Sequence, residues 1–154
     1  MSTSDGAKVR TLRLDLEFDG EAFFGWQRQA RGRTVQEVVE TALSTLLREP
    51  VRVVGAGRTD AGAHARHMVA STRVRSDAPL GRIVRGLMGL LPEDVGILDL
   101  REVDGAFHAR RDARWKWYRY SVLRRRGGRP LLRRTTWAWW GPLDAEALDG
   151  MARM

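Results

Sequence analysis

From residue 9 to residue 18 the chain alternates, with Leu12, Leu14, Leu16 and Phe18 in one phase and Arg13, Asp15 and Glu17 in the other. A period of two predicts a strand buried on one face. The alternation breaks over 19–29, where Gly20, Gly25 and the aromatics Phe23, Phe24 and Trp26 predict a loop. At Thr34 the period changes: Val35, Val38, Val39, Ala42, Leu43, Leu46 and Leu47 recur at helical spacing as far as Pro50. Thr34 and Glu37 spell a capping box at the start of that helix. A short apolar strand over 51–54 runs into a loop over 55–64 whose three glycines permit tight or left-handed turns. A strand is expected from about 67 to 74. A second helix opens at 77–80, carries Leu80, Ile83, Val84, Leu87 and Leu90 on one stripe and closes at Pro92, and a strand follows over 97–103.

The order strand, helix, strand, strand, helix, strand predicts an α+β fold of the ferredoxin-like, split βαβ kind: an antiparallel sheet with both helices on one face and the other face free. Beyond it, the alternation over 113–122 predicts a strand that extends the sheet. Residues 124–130 form a basic turn, and 135–140 another strand. Asp144 is a good N-cap for a last helix, whose stripe of Leu143, Ala147, Leu148, Met151 and Met154 stops after three turns with nothing to cover it. Three segments result: a disordered tail over 1–7, a ferredoxin-like domain over 8–105, and over 106–154 a sheet extension with the start of a truncated second domain.

Composition narrows the function. The 154 residues suit one domain. Lys and Arg number 27 against 19 Asp and Glu, a net charge of +8, and all the basic residues except Lys8 and Lys116 are arginine. A GC-rich coding bias is an alternative explanation of the preference for arginine, but it does not explain the excess of charge. The planar guanidinium fork matches phosphate oxygens, so RNA or DNA is the expected partner. The absence of cysteine excludes disulfides, a thiolate nucleophile and Cys-based metal centres. No segment has the apolar length of a membrane helix or the h-region of a secretory signal, and a cytoplasmic protein is expected. His64 and His67 are spaced for a helix but fall where a loop enters a strand, so a metal site drawing on them and His108 is disfavoured. There is no Gly-x-Ser-x-Gly elbow for a serine nucleophile. Gly55-Ala-Gly57 lacks the third glycine and the following helix of a dinucleotide fingerprint.

What remains is Arg58-Thr-Asp60, inside the glycine-rich loop and directly after an apolar strand. A guanidinium two residues from a carboxylate favours the ionised acid. Such a pair either ties a turn together or presents a catalytic carboxylate, and spacing alone favours the turn.

The surrounding residues do more. Gly57-Arg-Thr-Asp-Ala-Gly-Ala-His-Ala65 resembles the signature loop of the tRNA pseudouridine synthase A family. Phe18-Asp-Gly, Phe24-Gly-Trp-Gln-Arg-Gln29, Thr34-Val-Gln36, Phe107-His-Ala-Arg110 and Tyr118-Arg-Tyr120 resemble its other motifs, in the family's order. The resemblance implies an isomerase that converts uridine to pseudouridine in the anticodon stem-loop of tRNA, without cofactor or metal, as a homodimer. It puts the essential carboxylate on Asp60, which attacks the ribose C1′ or removes the C2′ proton to give a glycal. It makes Arg58 the arginine that pairs with Asp60 and fills the space left by the flipped base, and Tyr118 the ring that stacks on the target uracil. His64, Phe107, His108 and Arg110 become residues that position RNA or support the loop, and Trp26, Gln27 and Gln29 braces near the site. The arginines at 124, 125, 126, 129, 133 and 134, with Arg119, are expected on phosphates. The chain departs from the family pattern at Ala63, where a larger aliphatic residue is usual, and at Asp112, which replaces a common serine and brings a charge that repels phosphate. It also covers only the N-terminal half, or slightly more, of a family member, so the other wall of the cleft is missing. An inactive fragment or a non-catalytic RNA-binding module is the alternative.

Overall fold

The computed structural model describes residues 8–152, so the tail over 1–7 and Met154 lie outside the described residues. The described residues divide after Trp115 into two compact units. The first contains β1 (Arg10–Phe18), α1 (Val35–Leu47), β2 (Val53–Gly55), β3 (Ala65–Val74), α2 (Leu80–Leu90) and β4 (Val95–Val103). Its sheet has the order β2-β3-β1-β4 with every neighbouring pair antiparallel, as the split βαβ pattern requires.

The period-two reading of β1 holds. Leu12, Leu14 and Leu16 are fully buried and form one core with Val35, Val39 and Leu43 of α1 and Ile83 and Leu87 of α2. A Cβ on Gly86 would stand 2.5 Å from the side chain of Leu46, so the two helices approach through that glycine.

The start of α1 departs from expectation. Thr34 is the N-cap, with extended backbone, but its hydroxyl makes no capping bond and is buried without a partner among the described residues. Loop carbonyls take the capping role instead: the Val35 amide donates to Gly25 C=O (3.2 Å) and the Gln36 amide to Trp26 C=O (3.0 Å). The first turn of α1 is therefore tied to the 24–26 loop by backbone.

The second unit holds β5 (Val122–Arg124), a 3-10 turn (Pro130–Leu132), β6 (Trp137–Trp139) and α3 (Ala145–Ala152). The strand expected over 113–122 does not form. Only its last residue enters β5, which pairs with β6 in a separate two-stranded sheet. Alternation needs a ladder partner and a covered face to become a strand, whereas Trp117 and Tyr120 are 85% and 90% exposed. The Asp144 cap is present, its Oδ1 accepting the Glu146 and Ala147 amides at 3.0 Å. Among the described residues no helix is long and apolar enough to cross a membrane.

Candidate active site

The loop between β2 and β3 is held by backbone. The Trp26 amide donates to Thr59 C=O (3.1 Å) and the Gly62 amide to Phe23 C=O (3.1 Å), while Ala63 N–H closes a turn onto Asp60 C=O (3.2 Å). The approach of the two loops is so close that a Cβ on Gly25 would lie 2.4 Å from Thr59 O, and one on Gly20 would lie 2.0 Å from Ala63 O. Gly25 also has φ +86°, a conformation that side chains rarely adopt. The Phe-Gly-Trp and Asp-Gly pieces of the early motifs are thus the bed on which the Arg-Thr-Asp loop lies.

Further side chains stiffen the bed. Buried Trp26 lies against Gly55, where a Cβ would meet its indole at 2.5 Å. Gln27 Nε2 donates to Gln36 Oε1 (2.8 Å), and Gln36 Nε2 donates to Val53 C=O and Glu40 Oε1, both at 3.0 Å. Gln29 Nε2 donates to Phe24 C=O (2.8 Å). Glu40, which the sequence hides among polar helix positions, is buried and accepts bonds from Arg28 (3.2 Å), Arg52 (3.1 Å) and the Val53 amide (3.0 Å). Arg33 grips Asp94 through both terminal nitrogens and lies 4.1 Å over the Phe23 ring. The bonds to Asp94 raise the Arg33 guanidinium above its ordinary value.

Arg58 and Asp60 share this loop and are both exposed. The ion pair expected between them is not formed: among the described residues neither side chain makes an ion pair or a hydrogen bond. This also removes the reading of the two as a turn-stabilising pair. His64 lies at the far end of the loop, its Nδ1 3.1 Å from the Gly20 amide and 3.0 Å from Asp19 Oδ1. Unprotonated, that nitrogen accepts from Gly20; protonated, it donates to Asp19. Either way it fastens the loop to the 19–20 turn.

Phe107, His108 and Arg110 belong to a strap held on the free sheet face. Ala109 N–H donates to Ser71 Oγ (3.1 Å), and Arg73 donates to Gly105 C=O (2.8 Å). Asp112 accepts the His108 amide (2.8 Å), and His108 Nδ1 accepts the Arg111 amide (3.3 Å). Tyr118 lies in the second unit with 73% of its surface exposed, and the arginines at 119 and 124–134 are exposed in that same unit. Among the described residues no group of three His, Asp or Glu side chains is placed to hold a metal ion.

A second polar cluster escaped the sequence reading. Asp15 lies in the polar phase of β1 yet is only 4% exposed. Its carboxylate accepts from Arg13 Nε (2.9 Å) and Arg101 Nη2 (3.1 Å). Burial pushes its pKa up, but the bonds from Arg13 and Arg101, with the charges of Arg13 and His67, outweigh that and hold it below the usual carboxylate value. A depressed folded-state pKa adds stability that is complete above the unfolded value of about 4 and is lost as pH falls through the folded one. Asp15→Asn is therefore expected to be less stable than wild type at pH 7, with the gap closing below about pH 4. Urea melts at pH 7, 5, 4 and 3 check this; parallel curves would exclude it.

Comparison with known proteins adds an independent line. A family model described as tRNA pseudouridine synthase matches residues 16–110. The chain is similar to proteins named tRNA pseudouridine synthase A from Citrifermentans bemidjiense (45% identity, 91% of this chain and 56% of the relative), Geobacter sulfurreducens (43%, 94% and 59%) and Myxococcus xanthus (46%, 89% and 52%). It spans somewhat over half the length of these curated relatives.

Proposed function

Because the chain belongs to the tRNA pseudouridine synthase family, we propose that this protein isomerises uridine to pseudouridine in the anticodon stem-loop of tRNA, with Asp60 as its catalytic carboxylate. The observation that carries this reading is an exposed acid with no partner of its own, on a loop that two other motif loops hold rigidly by backbone contact. The backbone of Asp60 is held by the neighbouring loops while its oxygens are left free for a substrate.

The reaction breaks the N1–C1′ bond and forms C5–C1′; C5 loses a proton and N1 gains one, so no redox cofactor is needed. Attack on C1′ and removal of the C2′ proton both require the Asp60 carboxylate at the sugar of a nucleotide taken out of the stack. Arg58, without an ion-pair partner among the described residues, fills the space the base leaves. Tyr118 stacks on the everted uracil, a contact worth about 1–3 kcal/mol. His64 holds the loop, Phe107, His108 and Arg110 position the RNA, and the arginines of 119 and 124–134 meet phosphates. The active form is a homodimer on tRNA in the cytoplasm. The relatives are longer than the part this chain spans, and turnover is proposed to need that remaining part.

The test uses tRNA labelled with 5-³H-uridine. The chain completed by the unspanned segment of the Citrifermentans bemidjiense relative is expected to release tritium and to leave carbodiimide-reactive pseudouridine, while the 154-residue chain alone binds RNA without release. Binding without release by the completed, folded protein would make this an RNA-binding module instead.

A further inference from the structure

The strand that leaves the Asp60 loop begins with an irregularity. Phe18 pairs with Ala65 and Leu16 with Met68, so two residues of β3, Arg66 and His67, stand opposite Glu17 alone. A bulge of this kind re-aims side chains and is common beside functional loops. Here it falls where the loop passes into the sheet, and both of its residues are exposed.

His67 is not needed to hold the fold. Its Nε2 lies 3.5 Å from Asp15 Oδ1, too far for a good hydrogen bond, and its side chain is 57% exposed. Arg13 and Arg101 already satisfy Asp15, and exposed ion pairs add little stability. The imidazole is thus set over a buried, ionised carboxylate and leaves one ring edge uncommitted. Arg66 has no ion pair or side-chain hydrogen bond among the described residues. The charged and titratable groups around His67 on this face are Asp15, Arg13 and Glu17 of β1, Arg66 of its own strand, Asp99 and Arg101 of β4, and His108, Arg110, Arg111 and Asp112 of the strap.

We infer that Arg66 and His67 form a phosphodiester contact for the RNA strand that carries the target uridine. The inference rests on the pseudouridine synthase reading, because a nucleotide whose sugar lies at Asp60 brings its flanking phosphates to the ends of that loop. Arg58 is the only basic residue ahead of Asp60 between 56 and 60, and the bulge supplies cations after it.

The experiment measures binding of the 154-residue chain to a fluorescent tRNA transcript by anisotropy, over a range of salt. Arg66→Gln is expected to weaken binding about three- to tenfold and to lower the slope of log affinity against log salt by about one. His67→Gln is expected to weaken binding as well. His67→Arg restores binding to the wild-type level or beyond, a rescue that a purely structural residue would not show. Both Gln variants keep the thermal midpoint of wild type. Wild-type affinity and salt slope in both Gln variants, no rescue by His67→Arg, or no binding of tRNA by the wild-type chain would each overturn the inference. The pseudouridine reading fails separately, by the absence of tritium release from the completed protein.

Discussion

Asp60→Ala, made in the completed protein, lowers the rate of pseudouridine formation by about 10⁴-fold or more, the usual loss when the single nucleophile or base of a site is removed. Its affinity for tRNA and its melting temperature stay close to wild type. The second half of this expectation comes from the structure. The Asp60 carboxylate is exposed and makes no bond among the described residues, so its removal leaves no cavity and orphans no donor, the two routes by which a substitution becomes strongly destabilising. Asp60→Asn, which keeps the shape and loses the charge, should be as inactive as the alanine variant. Single-turnover tritium release, read alongside a binding isotherm and a melt, separates these terms. Turnover within tenfold of wild type would remove Asp60 from the chemistry and transfer the search to another acid near the loop. A matched fall in stability would instead return it to a structural role.

Local periodicity made the strand, helix, strand, strand, helix, strand order legible, because each of those elements buries one face against the same core. Leu12, Leu14 and Leu16 announce β1 by themselves, and Val35, Val39 and Leu43 announce α1. The failures share a cause, which is a partner distant in sequence. Thr34 and Glu37 have the spacing of a capping box, but the carbonyls of Gly25 and Trp26 already take the first amides of the helix. Asp15 and Glu40 sit at positions that read as polar surface. They are buried because Arg101 arrives from β4 and Arg52 from the approach to β2, and no pattern along one strand or one helix encodes that meeting. The segment 113–121 alternates as well as β1 does, yet among the described residues it has no ladder partner and stays irregular. At the site, the Arg-Thr-Asp loop was recognisable by motif, whereas its attachment was not. Nothing in the spacing of Phe24-Gly-Trp26 says that Gly25 will lie on Thr59, 34 positions later in the chain. Arg58 and Asp60 show the converse: nearness in sequence does not make a contact.

Gly25→Ala is expected to be strongly destabilising. Two costs add. An alanine at φ +86° costs about 1–2 kcal/mol. The new Cβ would also stand 2.4 Å from Thr59 O and 3.2 Å from Asp60 C, both backbone atoms that no side-chain rotation can move aside. Relief requires the two loops to separate, which strains or breaks the Trp26 N–H to Thr59 C=O bond and costs about 1–3 kcal/mol more if the amide stays buried. A total of about 2–5 kcal/mol is a large share of the 5–15 kcal/mol available to a domain. It corresponds to a fall in melting temperature of about 10 °C or more for a unit of roughly 100 residues. Activity in the completed protein should fall further than stability accounts for, since Asp60 directly follows the displaced Thr59. Gly89→Ala supplies the contrast. Gly89 lies within α2, has no atom within 4 Å of a built Cβ and is exposed, so the same methyl should stabilise by up to about 1 kcal/mol through helix propensity alone. Opposite signs at these two glycines would show that Gly25 is required by the contact between loops. Equal effects would mean that the Asp60 loop is not held against Gly25 in solution, and the rigid bed assigned to the catalytic acid would be lost with it.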